Sequence, residues 1–183
     1  MTFRFKAFVL VAILALALPI KAQALNIVAI GASNTSGWGV GEQNAYPALL
    51  QALLRKKGID AHVTNAGRLG DVTAGMRGRL DEAVPKGTDI VILQPGANDL
   101  RFFGTKEARA ANIAAMVQHL RARGIRVIVY DPDAIPRDFY QWDGIHFNAA
   151  AHAKIAATLA AQIAAPAKEQ AATPSNAAPP KPQ

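Results

Sequence analysis

The 183-residue sequence has no cysteine. Disulfides are closed to it, so its fold must be held by an apolar core. It has no basic run interleaved with aromatics, so nucleic acid is not expected as a partner. No Gly-Lys-Ser or Gly-Lys-Thr follows a glycine-rich loop, which argues against a phosphate-cradling nucleotide site. The four histidines are His62, His119, His146 and His152. No pair of them has metal-ligand spacing with a third ligand, so no metal is expected. No internal repeat is visible.

The chain starts with Arg4 and Lys6, an apolar run from Ala7 to Ile20, and Ala22-Gln23-Ala24. A charged start, an apolar stretch and a small-x-small site read as a secretory signal peptide over residues 1–24. The apolar run is short for a membrane span, which needs about 20 residues. An uncleaved anchor is the alternative. Cleavage removes Arg4, Lys6 and Lys21, lowering the formal charge by three, from +7 to a modest +4. Residues 165–183 are Ala, Pro, Lys, Gln and Ser for the most part, a composition expected to stay disordered. Residues 25–164 remain, enough for one domain with a sizeable core. The expected location is periplasmic or secreted, with no stable membrane span after cleavage.

Within that domain, short apolar runs alternate with helical patterns. Asn26–Gly31, Ala61–Asn65, Asp89–Leu93 and Arg126–Tyr130 read as strands. Tyr46–Lys57, Val72–Val84, Thr105–Arg123 and Asn148–Ala164 read as helices, several closed by Gly or Pro. Gly31–Gly37, Ala66–Asp71 and Gln94–Gly104 read as loops, and Pro132–Asp143 as irregular. This alternation predicts an α/β domain with a parallel sheet of four strands and right-handed crossovers. Ligands of such sheets sit at the carboxyl ends of the strands. Ser33, Gly70 and Asn98 follow the first three strands there, and His146 lies beyond the fourth.

Asp143 and His146 are three residues apart, which lets the carboxylate reach its own chain's imidazole. That contact fixes the tautomer and leaves Nε2 free to take a proton. Such a base needs a nucleophile, and Ser33 is the best candidate. The Ser33 N–H, the Gly70 N–H and the Asn98 side chain are candidate donors to an oxyanion. Taken singly, each of these residues also fits an ordinary turn or cap. Asp71 and Asp99 near the same rim are read as loop-holding carboxylates. The aromatics Trp38, Phe102, Phe103, Tyr140 and Trp142 are read either as packing under loops or as walls of an acyl or sugar pocket.

The whole pattern resembles the SGNH (GDSL-type) hydrolases, named for Ser, Gly, Asn and His in four sequence blocks. Gly31-Ala32-Ser33 is similar to the first block, Gly-Asp-Ser. Asn65-Ala66-Gly67-Arg68-Leu69-Gly70-Asp71 is similar to the second, Gly96-Ala97-Asn98-Asp99 to the third, and Asp143-Gly144-Ile145-His146 to the fourth. The resemblance implies a three-layer, flavodoxin-like sandwich. It implies Ser33 as nucleophile, His146 as base, Asp143 as third triad member, and Ser33, Gly70 and Asn98 as the oxyanion hole. Two departures stand out. Ala32 replaces the family's Asp, and only about a dozen residues separate Tyr130 from Asp143, so any fifth strand must be very short and hidden in Pro132–Tyr140.

The implied activity is cleavage of carboxylic esters through an acyl-enzyme, with small or short-acyl substrates favoured and no cofactor. The substrate is a small-molecule, glycan or lipid ester. The alternatives are deacetylation or acyl transfer on an envelope polysaccharide, or a non-catalytic carbohydrate- or envelope-binding protein on the same fold. Export predicts a mature chain that begins at Leu25. N-terminal sequencing of the exported protein should return Leu25 first, and an intact Met1 in the membrane fraction would identify an anchor instead.

Overall fold

The computed structural model describes residues 23–102, 104–130 and 135–165. The expected signal peptide, the expected disordered tail and Phe103 therefore lie outside the described residues, except for Gln23, Ala24 and Ala165.

The four apolar runs form one parallel sheet: β1 (Leu25–Gly31), β2 (Ala61–Gly67), β3 (Ile90–Gln94) and β4 (Arg126–Val129), in the order β2-β1-β3-β4. β1 pairs on both sides, and Gly31 lies opposite Gly67 on one neighbour and Gln94 on the other. The carboxyl ends of three strands thus finish level. Successive side chains of a strand point to opposite faces. Ile27 and Ala29 accordingly join one buried cluster and Val28 and Ile30 the other.

Helices cover both faces, as expected of a three-layer sandwich. α2 (Tyr46–Lys56) and α7 (Ala149–Ala164) bury Leu50, Leu54, Ile155 and Leu159 against the first face. The second face is covered by Met76 of α3 (Thr73–Gly78), Leu80 of α4 (Leu80–Ala83), and Met116 and Leu120 of α6 (Lys106–Ala122). Helix starts follow their sequence signals. Pro47 sits in the first turn of α2, where its missing N–H costs nothing. Thr105 Oγ1 accepts from Ala108 N at 3.1 Å, and Asn148 Oδ1 accepts from Ala151 N at 3.0 Å, each satisfying an orphan donor.

Four sequence expectations are corrected. The segment after β1 is not all loop, because α1 (Ser33–Ser36) starts two residues beyond it. β2 runs on through Gly67, into the expected loop. Val72–Val84 is two short helices: Gly75 and Gly78 weaken a continuous one, and Arg79 between them leaves helical geometry at φ −107°, ψ 13°. Gln94–Gly104 contains α5 (Asn98–Arg101). Within Pro132–Tyr140, residues 135–140 carry a 3₁₀ turn (Arg137–Phe139) and one antiparallel bridge from Tyr140 to Phe147. The rest of that stretch lies outside the described residues. Among the described residues no helix is long and apolar enough to cross a membrane.

A buried polar chain joins the layers. His152 of α7 is fully buried, and its Nδ1 accepts the Tyr46 N–H at 3.1 Å. The Tyr46 hydroxyl lies 3.2 Å from Thr35 Oγ1, which donates to Gln94 Oε1 at 2.5 Å. His152 is therefore neutral, with its proton on Nε2, which has no partner among the described residues. Burial pushes its pKa down from 6.5 to about 4. The unfolded chain binds this proton below about pH 6.5 and the folded chain only near pH 4, so stability falls as pH falls through that window. The loss from pH 7 to pH 5 should be about 2 kcal/mol at this site, from the pKa difference. Urea unfolding at the two pH values should show wild type losing about that much more than His152→Gln. Equal losses would show that His152 does not titrate on unfolding.

Candidate active site

β1 and β3 lie side by side, but the chain leaves them toward opposite faces: through α2 to the first face and through α6 to the second. A parallel sheet opens a crevice where its connections diverge in this way. Ser33 stands there as the first residue of α1, 7% exposed. The turn that holds it packs directly on the neighbouring strand. A Cβ on Gly67 would drive into the backbone of Thr35 and Ser36, and one on Gly31 into the Thr35 side chain. Only glycine allows this approach.

His146 Nε2 lies 3.0 Å from Ser33 Oγ, across a sequence separation of 113 residues. His146 Nδ1 lies 2.6 Å from Asp143 Oδ2. The other carboxylate oxygen accepts the backbone N–H groups of Ile145 at 2.9 Å and His146 at 3.0 Å. Asp143 thereby shapes its own turn and holds the ring with the same group. These bonds, the His146 N–H first, hold its pKa down at about 2. An ionised Asp143 accepts the hydrogen bond of the Nδ1–H, which fixes that tautomer, and Nε2 is left to accept from the Ser33 hydroxyl. The group can thus deprotonate a serine and stabilise the imidazolium that forms.

Gly70 lies on the turn between β2 and α3 at φ +73°, exposed and with open space around its α-carbon. It is not part of the cavity lining. Asn98 begins α5 and does line the cavity, while its Nδ2 donates to the Asp71 carbonyl at 2.8 Å. The Asn98 and Gly70 loops are thus stitched together at the residue after Gly70. One Asn98 amide hydrogen is committed there, leaving the second. Asp99 and Asp71 hold loops, as expected. The Asp99 carboxylate accepts from the Thr73 N–H and hydroxyl. Asp71 accepts the Val72 N–H and pairs with Arg79 Nε at 2.8 Å.

Three residues that sequence reasoning missed brace this centre. Asn34, beside Ser33, clasps the His146 segment from both sides: Oδ1 accepts from Phe147 N at 2.8 Å and Nδ2 donates to the Ile145 carbonyl at 3.4 Å. Gln141 donates through Nε2 to the Trp38 and Phe147 carbonyls, and its backbone N–H to the His146 carbonyl at 2.6 Å. Arg79 Nη2 donates to the Gly31 carbonyl at 3.1 Å. Gly31 is thereby tied to Asp71 just upstream of the position where Ala32, buried in the second core cluster, replaces an acid. The partners of Asn34, and Gly31 as a partner of Arg79, lie far away in sequence, and no local signal points to them.

The cavity at this rim measures about 450 Å³. Ser33, Asn98, Ile135, Tyr140, Trp142 and Ile145 are among its walls. Trp142 is 97% exposed, and the Trp38 ring lies 5.8 Å from that of His146. Phe102 is exposed and outside the lining.

Residues 29–172 match the family of GDSL-like lipases and acylhydrolases. The chain is 30% identical over 142 residues to the esterase TesA of Pseudomonas aeruginosa, covering 74% of this chain and 70% of that protein. It is 30% identical over 105 residues to an arylesterase of Vibrio mimicus, covering 56% of this chain and 52% of that one, about half its length. Among solved structures, that of TesA superposes with a TM-score of 0.64 at 24% identity, over 73% of this chain and 95% of the other.

The Arg79–Asp71 pair is nearly buried on both sides. Removing one partner of such a pair leaves an uncompensated charge. Arg79→Met should therefore lower unfolding free energy by about 3 kcal/mol in urea titrations. A loss near zero would show that Asp71 and Gly31 find other partners.

Proposed function

The chain belongs to the GDSL-like lipase/acylhydrolase family and is a carboxylic ester hydrolase, and we propose that Ser33 is its nucleophile, His146 its general base and Asp143 the carboxylate that orients the base. The observation that carries this is the unbroken line from Asp143 Oδ2 to His146 Nδ1 and from His146 Nε2 to Ser33 Oγ, at 2.6 and 3.0 Å. His146 takes the Ser33 proton as Oγ attacks the ester carbonyl. The tetrahedral oxygen is held by the Ser33 N–H and the second Asn98 amide hydrogen; Gly70, exposed and outside the cavity lining, is the weakest of the three expected donors. Collapse expels the alcohol, which takes the proton from His146. Water, deprotonated by His146, then attacks the acyl-enzyme and frees the acid and Ser33.

Small or short-acyl esters are the favoured substrates, because a cavity of about 450 Å³ with an exposed Trp142 rim offers little buried depth. Transfer to, or removal of an acyl group from, an envelope glycan would use the same groups with a different alcohol. The aligned serine and histidine argue against a non-catalytic binder, which needs no such line. The charged and apolar start of the sequence supports export and action outside the cytoplasm.

Ser33→Ala should abolish turnover of 4-nitrophenyl acetate while leaving the unfolding midpoint close to wild type. His146→Ala should do nearly the same. Groups that act as one unit lose rate once, so the double variant should be little worse than either single. Additive losses in log kcat would argue against a shared unit. Asn98→Ala should lower kcat on the order of a hundredfold, the usual cost of one oxyanion donor. A rise in KM at constant kcat would make Asn98 a binding residue instead.

A further inference from the structure

Arg101 and Arg137 line the same cavity as Ser33. Arg101 ends α5, one helical turn after Asn98 and therefore on the same side of that helix. Arg137 opens the 3₁₀ turn that leads to Tyr140. Other arginines of the domain are engaged by protein oxygens: Arg55 at Ala61, Arg79 at Asp71 and Gly31, Arg109 at Gly96, Arg123 at Asp81 and Val84, Arg126 at Gln162. Arg101 and Arg137 have no such acceptor among the described residues. Arg68 and Arg121 lack one too, but they do not line this cavity. Among the described lining residues there is no carboxylate: Asp143 and Asp99, each beside a lining residue, are turned onto His146 and Thr73, and Asp138, next to Arg137 in sequence, is exposed and outside the described lining. The cavity thus presents two planar, permanently charged donors with no counter-charge among its described lining residues.

We propose that Arg101 and Arg137 form an anion subsite, and that the preferred esters carry a carboxylate or phosphate near the scissile bond. The proposal rests on the hydrolase reading of the same cavity and specifies its substrate class. A guanidinium meets either group through paired N–H donors. Since both side chains reach from exposed positions, the attraction is partly screened by water and weakens with salt.

The test compares kcat/KM for two matched pairs: 4-nitrophenyl glutarate monoester against 4-nitrophenyl pentanoate, with the charge in the acyl part, and 4-acetoxybenzoate against phenyl acetate, with the charge in the alcohol part. At least one anionic member should exceed its neutral partner roughly tenfold at low salt, equal to about 1.4 kcal/mol, and the ratio should shrink at high salt. In Arg101→Gln/Arg137→Gln the ratio should fall to about one, while Arg101→Lys/Arg137→Lys should retain much of it. A purely structural role would change both members of a pair alike and leave the ratio standing, which overturns the proposal. A wild-type ratio near one in both pairs also overturns it. Equilibrium binding of the same esters to Ser33→Ala, which does not consume them, gives the ratio without turnover. No turnover of these esters by the wild type, with a preserved binding ratio, would sink the hydrolase reading and leave the subsite standing.

Discussion

The pairing of β1 with a parallel neighbour on each side is the constraint on which the rest depends. That register sets Gly31 level with Gly67 and Gln94, so the segments after three strands emerge at one height. α1 can then lie against β2 with nothing between their backbones, because neither Gly31 nor Gly67 carries a Cβ. A side chain at either place would lift α1 and with it Ser33. The serine's position is therefore a consequence of sheet register and two missing side chains, before any polar bond is counted.

The histidine reaches that serine by a different principle. Asp143 and His146 form a local unit, since one carboxylate bonds both the turn's backbone and the ring. Local bonds orient the imidazole within its own segment but do not say where the segment sits. Its placement comes from long-range bonds: Asn34 on Ile145 and Phe147, and Gln141 on Trp38 and Phe147. Below them Phe147 is fully buried between Tyr140 and His152. Asn34 extends from the same helical turn as Ser33, so the two halves of the centre are referenced to each other by adjacent residues.

What was legible in the sequence follows the same division. Periodicity exposed the four strands and the long helices because burying one stripe or both faces imposes a pattern on consecutive residues. Asp143 and His146 were legible because their contact is local. α1 was missed because four residues are too few for a period, and its stability comes from packing on Gly67 rather than from propensity. The division of α3 from α4 turns on Arg79, whose side chain is drawn to Asp71 and Gly31 by tertiary partners. His152 read as one more histidine on a helix. Its burial against Tyr46 depends on how α7 crosses α2, which no single segment encodes. Asn34 likewise acts only through residues distant in sequence, as Arg79 does in its bond to Gly31.

The residues of this rim divide by how they are held. Ser33, Thr35, Gln94 and Asp99 are buried and bonded to neighbouring segments. Trp38, Leu100 and Trp142 stand about half to almost fully exposed around them. Bonded, buried groups lose little further freedom when a substrate arrives, so Ser33 keeps its alignment with His146. Exposed groups make few contacts with the core, so they can be exchanged at little cost in stability. An ester with a different acid or alcohol can then be met by changing the outer residues, while register, glycines and the Asp143 turn stay as they are. The chemistry of this fold is set by its sheet, and the choice of substrate by side chains the sheet does not need.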